Sequence, residues 1–212
     1  MPRENEECQK CRSRERHRLL YFYLKQDNFL FAGTNKNFLH FAPEYCLYQQ
    51  FKKLEQINYT PCDLNPHFYR NLKTPIVQAD ITAIPYGNNM FDFIMCNHVL
   101  EHIENDQKAL AELYRVMKPG GRGIFLVPID ERFEKTYEDF TITAPTERER
   151  AFGQSDHVRI CGRDYLDRYR EAGFKVTISD FGRNFSSKKR YKYGILPTQK
   201  IYLCEKEAQK IT

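Results

Sequence analysis

Two aspartates stand directly after short apolar runs that predict strands. Asp63 follows the run 58–62, and Asp80 follows the run 76–79. Ligands of an open parallel sheet bind beyond the carboxyl ends of its strands, so both carboxylates are expected at one edge. Asp63 can accept two charge-assisted hydrogen bonds from ribose hydroxyls. Asp80 can accept a hydrogen bond from the exocyclic amine of adenine, while the Ile81 amide donates one to a ring nitrogen. A single strand-end aspartate is often a helix cap or a turn former. The two together predict a nucleoside site.

Three side chains beyond the predicted strand 91–96 could take part in proton transfer. His98, Glu101 and His102 are spaced three and four apart, which places them on one face of a helix. His157 stands in a second ionisable group further along the chain. Either His98 or His157 could act as a general base. The alternative is that each histidine orders a ligand or caps a loop.

A cysteine pair near the start has the spacing of one zinc knuckle, Cys8-x-x-Cys11. A tetrahedral structural zinc site needs four ligands, and His17 is the one further candidate nearby. We therefore predict no bound metal, and interpret the pair as the remnant or the truncated start of a longer zinc ribbon. The seven cysteines are odd in number and scattered, which favours reduced thiols over a disulfide framework.

Strand and helix patterns alternate through the rest of the chain. Alternation of this kind predicts a parallel sheet with covering helices. A helix is predicted to begin near Asn105 or Asp106 and to stop before 119–121, a Pro-Gly-Gly sequence. The other predicted helices cover 16–25, 45–54 and the residues around 166–172, and the predicted strands are 38–42, 58–62, 76–79, 91–96, 124–127, 174–178 and 200–205.

These elements predict one domain with additions at both ends. We divide the chain into an N-terminal extension 1–35 with the cysteine pair and an amphipathic helix, a domain 36–206, and a tail 207–212. The stretch 129–159 is polar, shows little periodicity and is longer than most connections within a domain. We predict that it forms a lid over the substrate, ending in ionisable residues at 156–159 that orient a polar acceptor.

Three linked motifs carry a family resemblance. Residues 78–86 read QADITAIPY, residues 91–103 read FDFIMCNHVLEHI, and residues 109–121 read ALAELYRVMKPGG. From about Phe38 to Pro128 the chain resembles the class I S-adenosylmethionine-dependent methyltransferases, specifically the type 11 methyltransferase domain. The resemblance implies an α/β Rossmann-like three-layer sandwich with a mostly parallel seven-stranded sheet, its last strand antiparallel. It also implies S-adenosylmethionine lying across the carboxyl edge of that sheet.

The resemblance assigns roles to residues at the strand ends. Asp63 matches the family's ribose position, and Asp80 with Ile81 matches its adenine position. Asn97 and His98 match the positions that face the methionine part of the cofactor. They follow the strand 91–96 directly.

The loop after the first strand departs from the family pattern. It reads His40-Phe41-Ala42-Pro43-Glu44 and has no glycine, whereas the family usually has a glycine-rich loop that meets the cofactor's carboxylate. A subset of related methyltransferases looks similar here, with the same loop, a Cys-x-x-Cys and Arg-His-Arg segment as in 8–18, and a motif as in 152–159. We therefore expect all five loop residues to contribute to the cofactor site. The alternative is that the loop has lost cofactor binding.

The composition and charge of the chain indicate which kinds of partner it is expected to bind. The chain has 212 residues, 41% of them hydrophobic, and a formal net charge of +5, which suits a folded domain. Its basic clusters, 12–18 and 188–192, make nucleic acid a conceivable but not a favoured partner. Without an apolar leader or a membrane-length apolar run, a cytoplasmic location and no membrane association are expected.

Three functional hypotheses follow from these observations. The first is a methyltransferase acting on a hydroxyl or amine of a small molecule. The second is methylation of RNA or protein. The third is a non-catalytic protein that binds the cofactor or a partner. The identity of the acceptor and the oligomeric state are not predicted by the sequence.

Overall fold

Buried apolar strands form the centre of the molecule. The computed structural model describes residues 5–33, 35–70, 72 and 75–208. Seven strands form one sheet in the order β3-β2-β1-β4-β5-β9-β8. Their bounds are β1 Lys36–Phe41, β2 Ile57–Asp63, β3 Val77–Gln78, β4 Phe91–Asn97, β5 Met117–Leu126, β8 Lys175–Ser179 and β9 Ile201–Glu205.

The sheet has the predicted mixed topology. The pairs β1–β2, β1–β4, β2–β3 and β4–β5 are parallel, whereas β9 is antiparallel to both β5 and β8. The central strands are almost wholly buried, as expected for parallel strands covered by helices on both faces. The predicted Rossmann-like α/β fold with one antiparallel last strand is therefore confirmed.

Six α-helices accompany the sheet in the described part of the chain. They are α1 Glu15–Asp27, α2 Tyr45–Phe51, α3 Asp106–Val116, α4 Pro145–Phe152, α5 Tyr165–Glu171 and α6 Ser187–Tyr193, and short 3₁₀ helices cover Pro66–Tyr69, Leu100–His102 and Phe181–Asn184. The predicted start of α3 is confirmed, because the Asn105 side chain accepts a hydrogen bond from the Lys108 amide at 3.0 Å as an N-cap.

Some boundaries differ from the predicted ones. The helix predicted over 45–54 ends at Phe51, and the strand predicted over 76–79 is reduced to β3. Helix α6 was not predicted, although the hydroxyl of its N-cap Ser186 accepts from the Lys189 amide. The basic residues 188–192 lie on this helix.

The segment 129–159 has more structure than its sequence predicted. It contains α4 and the short strand β6 Tyr137–Glu138, which pairs antiparallel with β7 Arg159–Ile160. The weak periodicity of this segment gave no indication of these elements, and its role as a lid stays a prediction.

The N-terminal extension packs on the sheet domain. Leu19, Leu20 and Leu24 of α1 are buried in the same apolar cluster as the strands. The first four residues, Thr34, and residues 209–212 of the predicted tail lie outside the described residues. Within the described ranges, no helix has the length and apolar character to cross a membrane.

Candidate active site

The predicted site residues meet at the carboxyl edge of four neighbouring strands. The sheet register places Phe41 of β1 opposite both Cys62 of β2 and Cys96 of β4. Asp63 of β2 stands opposite Gln78 of β3. The residues following these strands therefore share one crevice, as the topology of an open parallel sheet requires.

Glu44, in the loop after β1, contacts several other site residues through its carboxylate, and we call this carboxylate the hub. Its Oε2 lies 2.9 Å from His40 Nε2, and its Oε1 accepts a hydrogen bond from Asn97 Nδ2 at 3.2 Å. His17 Nε2, from α1, lies 3.9 Å from the same Oε1. One carboxylate thus joins the ends of β1 and β4, and it lies close to His17 in the first turn of α1.

Hydrogen bonding keeps the Glu44 carboxyl ionised. Burial alone would raise the pKa of Glu44, but the hydrogen bond from His40 and the nearby histidines outweigh burial and lower the pKa to about 2. Burial lowers the pKa of His17 to about 4, even though Glu44 opposes that shift. At neutral pH the hub is therefore an anion next to a neutral His17.

The predicted loop residues differ in what they offer a ligand. His40 is fully buried, and its two ring nitrogens lie 2.8 Å from the Tyr59 hydroxyl and 2.9 Å from Glu44. Phe41 and Pro43 are also buried. The His40 side chain therefore positions Glu44, which leaves the backbone of the loop and Glu44 itself to face the crevice.

Two residues other than glycine adopt left-handed backbone conformations beside the crevice. Ala42 has φ +46° and His98 has φ +54°, each directly after its strand. This conformation is uncommon for residues other than glycine, and strained residues of this kind cluster at functional sites. The alanine thus supplies the left-handed turn for which a glycine would be the usual choice.

The two predicted nucleoside aspartates are held by their own loops. Asp63 Oδ1 accepts from the Asn65 amide at 2.7 Å, and Oδ2 accepts from the Tyr69 hydroxyl at 2.9 Å. Asp80 is exposed, and its Oδ1 accepts from both the amide and the hydroxyl of Thr82. Because each carboxylate oxygen has two lone pairs, Asp63 retains an acceptor site on both oxygens.

His98 has the arrangement of an oriented general base. Its Nδ1 lies 3.1 Å from Oε1 of Glu101, a side chain that is only 1% exposed. Its Nε2 is buried and has no hydrogen-bond partner among the described residues. A carboxylate that holds one ring nitrogen of a histidine fixes the tautomer and leaves the other nitrogen with its lone pair.

Other polar atoms around the crevice are also buried and unpaired in the described ranges. They are Oδ1 of Asn97, Oε2 of Glu101, Nε2 of His17 and Nε of Arg16. Arg16 interacts electrostatically with Glu44 and Glu101, and this places it near both strand ends. Buried polar groups normally have partners, so a ligand bound in this crevice could supply the partners that these atoms lack.

Sequence reasoning missed the contribution of Arg16 and His17. Both lie in the first turns of α1, which was predicted only as the amphipathic helix of the N-terminal extension. Their spacing alone gave no signal of the site. The resemblance of 8–18 to the Arg-His-Arg segment of related methyltransferases was the available clue.

The segment ending at residues 156–159 lies against the end of β4. The Val158 amide donates to the Glu101 carbonyl at 3.1 Å, and His102 Nδ1 lies 3.1 Å from the Asp156 carbonyl. The rings of His102 and His157 are in edge contact, with centroids 4.8 Å apart. Burial, followed by the neighbouring His102, lowers the pKa of His157.

Arg159 has a structural role that differs from the predicted one. Its side chain is fully buried and donates to the carbonyls of Leu100, Ile103 and Glu104 at 2.6, 2.6 and 3.0 Å. Its Nε donates to Glu138 at 2.9 Å. The prediction that Arg159 orients an acceptor is therefore wrong, because this guanidinium anchors the end of the segment 129–159 to the 3₁₀ helix after β4.

All seven cysteines are free thiols. His17, the one candidate for a third ligand beside Cys8 and Cys11, has its Nδ1 3.1 Å from the Arg14 amide and 3.2 Å from Cys46 Sγ. That the cysteine pair binds no zinc stays a prediction.

Comparisons with known proteins show what the sequence and the fold of this chain are similar to. The sequence profile of the type 11 methyltransferase domain family matches residues 44–125. The ubiquinone/menaquinone biosynthesis C-methyltransferase UbiE of Klebsiella pneumoniae is 40% identical over 68 residues, which are 31% of this chain and 27% of that protein. The chain thus aligns with about a quarter of the length of this relative.

Solved structures share the fold over nearly the whole chain. An S-adenosylmethionine-dependent methyltransferase from Mesorhizobium loti superimposes with a TM-score of 0.58 at 12% identity, covering 88% of this chain and 96% of its own. One from Archaeoglobus fulgidus gives 0.56 at 15% identity, covering 93% and 96%. The profile match over residues 44–125 and the order of the strands agree with the methyltransferase fold that the sequence predicted.

Proposed function

We propose that this chain is an S-adenosylmethionine-dependent methyltransferase that methylates a hydroxyl or an amine of a small molecule. The observation that carries the proposal is the His98–Glu101 pair, with an unpaired Nε2 at the carboxyl end of β4. Oriented bases of this kind remove a proton from an acceptor during catalysis. The family match over 44–125 supplies the reaction class.

The strand ends offer complementary groups for each part of the cofactor. Asp63 would accept the ribose hydroxyls with the lone pairs that Asn65 and Tyr69 leave free. Asp80 and the Ile81 amide would contact adenine. The buried Oδ1 of Asn97, unpaired in the described ranges, would accept from the amino group of the methionine part.

The loop 40–44 and the first turn of α1 would enclose the other end of the cofactor. The left-handed turn at Ala42 turns the backbone beside the crevice, and Glu44 fixes this loop to the end of β4. Arg16, whose Nε is buried without a partner among the described residues, would supply a donor for the cofactor's carboxylate.

S-adenosylmethionine supplies a methyl group carried on a sulfonium, so the residues must mainly align the acceptor and exclude water. As the acceptor oxygen or nitrogen forms its bond to the methyl carbon, the bond from carbon to sulfur breaks. His98 Nε2 takes the acceptor's proton in this proposal, with Glu101 holding Nδ1. His157, whose pKa is lowered by burial, is the alternative base.

A matched histidine pair tests the assignment of the base. His98→Asn should lower kcat about 10²–10⁴-fold and change the affinity for S-adenosylhomocysteine much less, because the proton transfer is lost and most cofactor contacts remain. His67→Asn is the control, since His67 is exposed on a surface 3₁₀ helix. Turnover of labelled S-adenosylmethionine against a metabolite library provides the assay. Unchanged kcat in His98→Asn with a large loss in His157→Asn would transfer the role to His157.

The segment 129–159 would cover the acceptor and become better ordered when cofactor and acceptor are both bound. Its attachment to the end of β4 through Val158 and Arg159 supports this role. Hydrogen exchange of this segment should slow when S-adenosylhomocysteine is added together with the acceptor found in the labelled-donor screen. Unchanged exchange, combined with full activity of His157→Ala, would remove the support for a lid.

A further inference from the structure

We propose that Glu101, His102 and His157 bind a divalent transition-metal ion, and that this ion holds the hydroxyl of the methyl acceptor. The inference rests on the proposed function and narrows the acceptor to hydroxylated small molecules. It also revises the expectation, formed from the cysteine pair alone, that the chain binds no metal.

The three side chains converge at one point. Each offers one ligand atom, and these atoms all lie within 4.8 Å of one another. Glu101 and His157 are 1% and 6% exposed, so the donor set is largely removed from water. In the described part of the chain, no other group of three or more histidine, cysteine or carboxylate side chains converges in this way.

Glu101 supplies an independent indication of a ligand. Its Oε1 is engaged by His98, whereas its Oε2 is buried without any hydrogen-bond partner in the described ranges. A buried carboxylate oxygen without a partner is costly. A bound cation would compensate that cost directly.

A hydrogen bond to one ring nitrogen of His102 leaves the other ring nitrogen available as a metal ligand. Its Nδ1 lies 3.1 Å from the Asp156 carbonyl oxygen, which can only accept a hydrogen bond. Nδ1 therefore carries the proton, and Nε2 retains its lone pair for a metal. A histidine ligand that donates its other ring N–H to a carbonyl or a carboxylate is the usual second-sphere arrangement at metal sites.

The donor set selects the class of ion. Two imidazoles and one carboxylate match catalytic zinc sites and non-haem iron sites, whereas magnesium prefers oxygen ligands and bound water. Ligands about 2.1 Å from a common ion are separated by about 3.4 Å in tetrahedral geometry. Small side-chain rotations would bring the ligand atoms from within 4.8 Å to that separation.

Three protein ligands leave a coordination position open for the acceptor. A coordinated hydroxyl loses its proton more readily than a free one, and His98 lies next to the site because it shares Glu101 with it. The proton would pass from the hydroxyl to His98 Nε2 while the oxygen attacks the methyl carbon. An amine acceptor would gain nothing from coordination, because the ion would occupy the lone pair that must attack.

Cobalt titration tests the site without any knowledge of the acceptor. The purified chain, stripped of metal, is titrated with Co²⁺ in a Cys8→Ser, Cys11→Ser background so that the cysteine pair cannot bind the ion. The visible absorption of Co²⁺ should saturate at one ion per chain. His157→Ala and Glu101→Gln should each weaken Co²⁺ binding by roughly tenfold or more, whereas His67→Ala should leave it unchanged.

The outcomes separate this inference from the proposed function. Circular dichroism establishes whether each variant folds. If His157→Ala does not fold, Glu101→Gln alone provides the test of the site. Absence of saturable Co²⁺ binding, or equal binding in all variants, would overturn the metal site. If S-adenosylhomocysteine binds and methyl transfer persists after chelation, the metal site is also refuted while the proposed function stands. Failure to bind S-adenosylhomocysteine would refute the proposed function instead.

Discussion

Replacing Glu44 should reveal how one carboxylate holds the cofactor crevice together. Glu44→Ala removes the partner of His40 Nε2 and of Asn97 Nδ2, and both of those side chains are buried. Glu44→Gln keeps an oxygen for Asn97, and its amide can donate to His40 if the imidazole changes tautomer. The two variants therefore separate the loss of hydrogen bonds from the loss of charge.

Two independent estimates give a similar contribution of the Glu44 carboxylate to the free energy of unfolding. Leaving two buried polar groups unpaired costs about 1–3 kcal/mol each, so Glu44→Ala should lose roughly 2–6 kcal/mol of unfolding free energy. Independently, lowering the pKa of Glu44 from its ordinary 4.5 to about 2 corresponds to about 3 kcal/mol at 1.36 kcal/mol per unit. Because the native pKa is depressed, this contribution is present above about pH 4.5 and is lost as the pH falls towards 2.

Chemical denaturation at pH 7 and at pH 3 measures both effects. The wild type should lose more stability between these pH values than Glu44→Gln, by about 2 kcal/mol, because part of the contribution is lost only below pH 3. Glu55, which is exposed, provides the control, and Glu55→Gln should match the wild type at both pH values. If Glu44→Ala costs no more than Glu55→Ala, or if Glu44→Gln keeps the wild-type pH dependence, the hub assignment is refuted.

Three further substitutions test other parts of the structure. Ala42→Gly should leave stability unchanged or raise it by up to about 1 kcal/mol, because it relieves a left-handed alanine; a loss above about 1 kcal/mol on denaturation would contradict this. Arg159→Met should cost about 3–5 kcal/mol of unfolding free energy by leaving buried partners unsatisfied, whereas Arg163→Met, on an exposed ion pair, should cost under about 1 kcal/mol. Equal costs would refute the anchoring role. Finally, the Cys8→Ser, Cys11→Ser variant should contain as much metal as the wild type by elemental analysis, and a loss of one zinc per chain would contradict this.

The fold was predictable from the sequence wherever burial left a periodic pattern. The apolar runs at 38–42, 91–96 and 124–127 are central strands because helices cover both of their faces. Helix α6 has no such pattern, since it is short, basic and without a buried residue. Strands β6 and β7 are two residues each, too short for alternation to indicate them.

The site was predictable only in its placement along the chain. Strand-end positions predicted that Asp63 and Asp80 lie at one edge of the sheet, and the family resemblance added Asn97 and His98. The partners of Glu44 and Arg159 come from other elements, and no spacing in the sequence indicates such contacts. Arg159 in particular has a residue type that is rarely buried, so its role depended on carbonyls that only the folded chain brings together.

Calorimetric titration with S-adenosylhomocysteine tests the central claim most directly. The wild-type chain should bind one equivalent, and Asp63→Ala should bind more weakly by a few kcal/mol, since each hydrogen bond to the carboxylate contributes about 1.5–3 kcal/mol. Glu55→Ala should bind as the wild type does. No binding by the wild type, or unchanged affinity in Asp63→Ala, would contradict the claim that the carboxyl edge of this sheet holds the cofactor.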